Sequence, residues 1–279
     1  MHIGEEALDL RLTLMDSAQC FSWQEMDGRF GAVLDGKPVW LWSQPDGIHA
    51  QGASLEFLRD YLDLNRDYAA LAQEYAQIPM AKRSMEMISG LRILNQSPWD
   101  ALIAFILSAN NNVQRIRKLV QRLCERFGEH FDTQQGTLYA FPTPERLAAT
   151  SEEELRALGV GYRAPYLIGT ARTIAEGFPL SQLKRMSYPD AHARLTELPG
   201  VGDKVADCVL LFGCRHASAF PVDVWVEKLL KSWFGLEAST RKRLQSDSRK
   251  LLGEHAGLLQ QFMFHAARTG MIPVDAPAR

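Results

Sequence analysis

Apolar and polar positions alternate in short runs between residues 7 and 50, and from about residue 68 they recur at three- and four-residue intervals. The first texture predicts strands and turns, the second helices. The stretch Leu8-Asp9-Leu10-Arg11-Leu12-Thr13-Leu14 alternates strictly, which predicts a half-buried strand. Residues 30–34 and 39–42 are β-rich runs separated by Asp35-Gly36-Lys37-Pro38. Asp-Gly at that place predicts a hairpin, because glycine accepts the positive φ of the turn. Asp46-Gly47 marks the next turn, and the helical stretch 55–64 is expected to lie against the resulting antiparallel sheet. Helix-length periodicity then covers residues 99–107, 116–127, 152–158, 164–176, 188–195, 204–212, 224–234 and 258–269. Ser97-Pro98 and Ser151-Glu152-Glu153-Glu154 supply start signals, and the helical texture is expected to run to the end. The reading is an α+β chain: a small antiparallel sheet domain over residues 1–90, then an all-α domain over 91–279.

Composition narrows the class. The 279 residues are 46% apolar and 23% charged, an ordinary globular balance, and no apolar run reaches the roughly 18 residues of a membrane span. Glu5, Glu6 and Asp9 at the start replace the basic and apolar segments of a secretory leader. An intracellular monomer without membrane attachment is expected, cytoplasmic in a bacterium or nuclear in a eukaryote. Cys20, Cys124, Cys208 and Cys214 are too few and too scattered for a disulfide framework or a four-thiolate iron–sulfur site, so no cofactor or metal is expected. A net charge of −2 argues against coating nucleic acid by bulk charge.

The chemistry concentrates in Leu198-Pro199-Gly200-Val201-Gly202-Asp203-Lys204-Val205-Ala206-Asp207. One helix ends, a Pro-Gly-Val-Gly turn follows, and a second helix starts at once; the hairpin spans about 188–212. Gly200 and Gly202 let the backbone turn tightly, and the second helix offers free N–H groups at its positive end. Gly200, Val201 and Gly202 are therefore candidates to hold a phosphate, the alternative being a plain connection between helices. Lys204 follows in the first turn, and Phe220-Pro221-Val222-Asp223-Val224-Trp225 opens the next helix.

With these segments in view, the chain resembles the helix–hairpin–helix DNA glycosylase superfamily. Members carry a Leu-Pro-Gly-Val-Gly-x-Lys hairpin and, a short loop later, Pro-Val-Asp; here Lys204 and Asp223 are 19 positions apart, as in the family. The resemblance implies that Lys204, once neutral, attacks C1′ of a damaged nucleoside and forms a Schiff base that permits β-elimination. It implies that Asp223 stabilises the cationic sugar. Read by residue type alone, Lys204 could instead be a phosphate-contacting or solvated lysine. Asp223 is also well placed as a helix N-cap.

Further segments resemble the 8-oxoguanine glycosylase/AP lyase branch, whose fold pairs a TBP-like sheet with the helical domain. In Ser108-Ala109-Asn110-Asn111-Asn112-Val113-Gln114-Arg115, the branch uses the first asparagine, Asn110, to fill the hole left by the flipped base, and Arg115 to face the orphaned cytosine. In Gly159-Val160-Gly161-Tyr162-Arg163, Tyr162 is implied as a wedge and Arg163 as a second cytosine reader. Cys208, one helical turn after Lys204, is implied to pack on one face of the base. Gln260 is implied to bond its Watson–Crick edge and Phe264, at i+4, to stack on the other face. By type alone these are an Asn-rich helix start, a Gly-Tyr-Arg turn and a core phenylalanine. The stripe Arg115, Arg117, Lys118, Arg122 and Arg126 is either a DNA flank or a solvated face.

Two departures stand out. Where the branch has Gly-Gln-Ser-Phe-Arg-Trp, with the Gly carbonyl accepting the N7 hydrogen of 8-oxoguanine, this chain has Ala18-Gln19-Cys20-Phe21-Ser22-Trp23. Alanine offers the carbonyl but takes a positive φ less readily. Trp225 replaces the histidine of eukaryotic members and offers an indole N–H to phosphate, which suggests a bacterial-type member. The expected partner is duplex DNA carrying an oxidised guanine opposite cytosine. The competing readings are a glycosylase of the same fold for another lesion, such as an alkylated base, and a non-catalytic DNA-binding module that keeps the hairpin as a phosphate clamp.

Overall fold

The computed structural model describes residues 1–4 and 8–275; Glu5 and Glu6 lie outside them. Five strands form one antiparallel sheet in the order β1-β5-β4-β3-β2: β1 (His2–Gly4), β2 (Gln24–Met26), β3 (Arg29–Leu34), β4 (Lys37–Gln44) and β5 (Gly47–Gln51). The two Asp-Gly turns close β3–β4 and β4–β5, with Leu34 opposite Lys37 and Gln44 opposite Gly47. Alternation sorts β4 by face: Val39 and Leu41 enter the core shared with α1 (Leu55–Tyr61), whereas Trp40 points the other way.

The helices that follow are α2 (Tyr68–Glu74), α3 (Pro79–Met87), α4 (Pro98–Leu107), α5 (Val113–Phe127), α6 (Pro144–Ala148), α7 (Glu152–Ala157) and α8 (Ala164–Ala175). After them come α9 (Tyr188–Thr196), α10 (Asp203–Gly213), α11 (Val224–Phe234), α12 (Arg241–Leu252) and α13 (Ala256–Arg268). Every residue of α4 from Ala101 to Leu107 is buried, so this helix is the axis of the helical core. It lies against α10 so closely that a Cβ on Gly213 would come within 2.8 Å of Pro98 Cα. Serine caps fix starts that the sequence announces: Ser97 accepts from Asp100 N, and Ser151 forms a reciprocal capping box with Glu154.

Four features differ from the sequence expectation. Residues 8–14 are not a strand; the segment winds into a π-helical turn at Leu12–Asp16. Alternation places apolar residues at i+4 as well as i+2, so Leu10 and Leu14 still reach the sheet core. The Asp9 side chain accepts from Leu12 N (2.9 Å) while Asp9 N donates to Gly90 O (2.9 Å), which starts the turn. Second, the helical part is interrupted by a hairpin, β6 (His130–Thr133) and β7 (Gly136–Tyr139). Leu138 of this hairpin covers Trp40 on the outer sheet face, and Gly31 leaves room for it: a Cβ there would lie 2.9 Å from Leu138. Third, α2, α3, α6 and α12 lie outside the stretches of helix-length periodicity, and α12 is the longest of them. Its apolar positions are sparse, Leu244 and Leu252 among basic and polar neighbours. The hydrophobic cores also divide elsewhere than at residue 90. Leu71, Met80 and Met85 of α2 and α3 pack in the helical core, and Leu94 packs in the sheet core.

Candidate active site

The hairpin takes its shape from Gly200. Its φ is +76°, and a Cβ on it would come within 2.6 Å of Tyr166 Cβ, so the turn seats directly on α8. Thr170 of α8 donates to Pro199 O (2.8 Å), and buried Val201 pins the turn from inside. Gly202 is the exposed N-cap of α10, with no side-chain cap and open space where a Cβ would stand. The first-turn amides of α10 thus lack a side-chain acceptor, which makes this end an anion seat. Trp225, 40% exposed in the first turn of α11, stands by the same cleft, and Lys228 Nζ lies 5.4 Å from its ring centroid.

Lys204 and Asp223 open onto one cleft of about 1020 Å³. Half-buried Lys204 turns inward: its ammonium donates to Ser108 Oγ (2.8 Å) and lies 5.1 Å from the Phe105 ring centroid. Asp223 caps α11, Oδ1 accepting from Val226 N (2.9 Å), so its carboxylate is fixed by the helix it starts. Cys208, one turn along from Lys204, is fully enclosed; burial pushes its thiol up to about 12, Lys204 opposing and Asp207 and Asp223 adding. It stays a neutral thiol and offers a packing surface.

Gln260 and Phe264 of α13 line the same cleft. Gln260 is 3% exposed, and its Oε1 has no hydrogen-bond partner among the described residues. Buried polar atoms are rarely left so, and an acceptor here suits a ligand with a donor edge. Ala18 lines the same cleft and adopts φ +62°. Against expectation, alanine does take the left-handed conformation here, at a cost of roughly 1–2 kcal/mol. Gln19 anchors that loop: its side-chain amide donates to Thr13 O (3.1 Å), Ser17 Oγ (3.0 Å) and Arg92 O (2.8 Å), and Oε1 accepts from Leu94 N (2.8 Å).

At the cleft mouth, Asn110 sits at φ +48°, a conformation asparagine tolerates, and its Nδ2 donates to Tyr162 Oη (3.3 Å). Tyr162 is 51% exposed and its hydroxyl donates to Ala109 O (3.3 Å). The two implied cytosine readers stand differently. Arg115 is exposed, with one long bond to Gly159 O (3.4 Å). Arg163 is buried, its guanidinium spent on the carbonyls of Ala109, Asn110 and Val160. The basic stripe of α5 splits likewise: Arg117 bonds Met15, Arg122 bonds Leu158 O (3.2 Å), and Arg126 pairs with Glu154 (3.7 Å).

Several contributors escaped the sequence reading. Ser108 and Phe105, which position the Lys204 amine, show only once α4 is packed on α10. Asp207, on α10, is almost fully buried; its carboxylate accepts from Tyr188 Oη (2.8 Å) and from Gln245 Nε2, tying α9, α10 and α12 together. Burial pushes its pKa up, with those bonds and the charges of His192 and Arg249 opposing. Arg241 and Lys242 of α12 reach the cleft wall. The five basic residues in 241–250 are the available signal.

Comparison with known proteins gives consistent results. The family model of the HhH-GPD superfamily base excision DNA repair protein matches residues 103–254, and that of the 8-oxoguanine DNA glycosylase N-terminal domain matches residues 1–102. A probable N-glycosylase/DNA lyase of Methanothermobacter thermautotrophicus is 33% identical over 68% of this chain and 67% of its own length. An N-glycosylase/DNA lyase of Saccharomyces cerevisiae is 40% identical over 54% of this chain and 43% of its own length. The chain therefore spans about two thirds of the first relative and less than half of the second. The crystal structure of Clostridium acetobutylicum 8-oxoguanine glycosylase/lyase, bound to duplex DNA with cytosine opposite 8-oxoguanine, superposes with TM-score 0.89 at 32% identity, over 96% of this chain and 94% of that one.

Proposed function

The chain belongs to the HhH-GPD superfamily of base excision DNA repair proteins, in its 8-oxoguanine glycosylase branch, and on that premise we propose that it is a DNA N-glycosylase and abasic-site lyase that removes 8-oxoguanine from duplex DNA. The observation that carries the proposal is one cleft holding three things: an inward-turned amine on Lys204, the capped carboxylate of Asp223, and the partnerless Oε1 of buried Gln260.

A purine turned out of the stack enters between Cys208 and Phe264, and Gln260 Oε1 accepts from the N–H groups of its Watson–Crick edge. The Ala18 carbonyl accepts the N7 hydrogen that 8-oxoguanine has and guanine lacks. The amides at Gly200, Val201 and Gly202, with the Trp225 indole, hold the backbone phosphate. Neutral Lys204 Nζ then bonds C1′ as the C1′–N9 bond breaks, and the bonding pair leaves with the base, which takes up a proton. Asp223 lowers the energy of the positive sugar. Ring opening converts the amine adduct into a protonated imine; loss of a C2′ proton then expels the 3′ phosphate. Asn110 and Tyr162 fill the gap in the duplex. Arg115 is free to face the orphaned cytosine, whereas Arg163 reaches it only by exchanging its bonds to Ala109 and Asn110.

Borohydride reduction in the presence of an 8-oxoguanine:cytosine duplex tests this. A covalent protein–DNA adduct is expected there and not with an undamaged duplex. No adduct, or release of guanine and 8-oxoguanine at equal rates, overturns the proposal. Equal cleavage opposite all four bases overturns the part given to Arg115.

A further inference from the structure

Five consecutive carbonyls, those of Met15 to Gln19, run along the cleft-side loop. Four accept a side-chain hydrogen bond. Met15 O accepts from Arg117 of α5, Asp16 O from Arg268 of α13, Ser17 O from Gln261 of α13 (2.6 Å), and Gln19 O from Gln96 (2.8 Å). Ala18 O accepts none among the described residues, and Ala18 is the one of the five at positive φ, +62°. It is also the one of the five that lines the cleft.

We infer that Gln261 and Arg268, with Arg117, are specificity-determining positioning residues: by occupying the carbonyls before Ala18 they hold an alanine in a conformation suited to glycine and leave its carbonyl free for the base. The inference rests on the proposed 8-oxoguanine reading of the cleft and extends it to side chains whose part is to hold the loop. An L-residue leaves the left-handed region unless its surroundings over-determine it. Donors on the two preceding carbonyls and on the following one fix the peptide planes on both sides, so Ala18 cannot relax without breaking a bond to a buried or half-buried partner. Helix α13 does both tasks from adjacent faces. Gln260, Gln261, Phe264 and Arg268 all line the cleft, and Gln261 and Arg268, seven apart, also reach the loop. The same helix thereby sets the distance between the Gln260 oxygen and the Ala18 carbonyl.

The test pairs two variants with a reaction that needs no base. In the double variant Gln261→Leu, Arg268→Leu, both side chains keep most of their volume and lose their donors. Excision of 8-oxoguanine opposite cytosine is expected to fall by about tenfold or more, roughly the value of one hydrogen bond. Cleavage at a preformed abasic site opposite cytosine uses Lys204 but no base contact, and it is expected to stay within about twofold. Adding Ala18→Gly to the double variant is expected to restore excision to within about threefold of the unaltered protein, since glycine adopts the left-handed conformation unaided. Loss of both reactions together, loss of neither, or loss without rescue by Ala18→Gly overturns the inference. A crystal structure of the double variant separates this failure from failure of the functional reading. Ala18 leaving the left-handed region is expected; Ala18 unmoved overturns the inference whatever base the cleft accepts.

Discussion

On one side of the cleft stands the hairpin from Leu198 to Lys204, shaped by residues next to one another in the chain. On the other lies the loop from Met15 to Gln19, held by donors between 77 and 252 positions away. The hairpin's own turn takes a glycine at φ +76°, an uncapped helix start and a lysine in the first turn, with Thr170 of α8 as its seat. The loop needs α5, α13 and the segment before α4 all in place. The turn that presents the amine is therefore set by local sequence, although α8 seats it and Phe105 and Ser108, at the end of α4, aim the amine. The loop assigned to recognition is instead held throughout by distant partners. That division makes sense physically: a helix N-terminus is a ready anion seat wherever it occurs, whereas a carbonyl pointed at one hydrogen of one base must be fixed from several directions.

The largest expected effect comes from the hairpin side. Lys204→Gln should abolish the borohydride adduct and lower both base release and abasic-site cleavage by at least about a thousandfold, with binding to damaged duplex largely kept. If base release survives while the adduct is lost, the amine is not the nucleophile and the two walls are not divided as described. Asp223→Asn comes next. Asparagine caps as well as aspartate, so thermal stability should hold while excision drops by about a hundredfold, the charge having been removed and the cap kept. An equal loss of melting temperature and activity would return Asp223 to a purely structural part.

On the recognition side, Gln260→Leu should cut 8-oxoguanine excision by about tenfold and spare abasic-site cleavage. Because it removes a buried acceptor without a partner, it should also raise stability, by about 1 kcal/mol and so by roughly 2–4 °C. A fall in stability would mean that the oxygen has a partner in solution. The smallest effect is in pH dependence, and it has opposite sign at two groups outside the cleft lining. Asp100, in the first turn of α4 where that helix meets the C-terminal end of α10, is raised by burial to about 7, its bond to Ser97 opposing. Its contribution to stability is present below about pH 4 and lost as pH rises to 7. His265 on α13 is lowered to about 4, by burial first and Arg268 second. Its contribution is present above about pH 6.5 and lost as pH falls to 4. Denaturant titrations should show Asp100→Asn gaining on the unaltered protein more at pH 8 than at pH 4. His265→Gln should gain more at pH 5 than at pH 8, and parallel curves would refute both assignments.

Much of the fold is visible in the chain because its signals are local. Asp35-Gly36 and Asp46-Gly47 demand tight turns, Ser97 and Ser151 announce helices, and the all-apolar run of α4 names the core axis. The same holds for Gly200, Gly202 and Lys204, whose meaning lies in their spacing. Where the reading failed, the deciding partner was distant. Residues 8–14 alternate like a strand, yet Asp9 N finds Gly90 O and the segment turns helical. Leu138 belongs to a hairpin because the outer sheet face offers Trp40 and a gap at Gly31. That Arg163 is buried on the carbonyls of Ala109 and Asn110 was likewise not visible in its Gly-Tyr-Arg turn.

Sequence by itself determined the period of each element, the turns, the hairpin and the residue types able to attack a sugar and hold a phosphate. These depend on neighbours a few residues apart, whose geometry the covalent chain already restricts. Only the tertiary structure decided that Ala18 takes a glycine conformation, that Lys204 rests on Ser108 rather than in solvent, and that Gln260 keeps an oxygen unpaired. Each of these is a balance between local strain or desolvation and contacts made from far along the chain, and that balance has no value until the helices are packed.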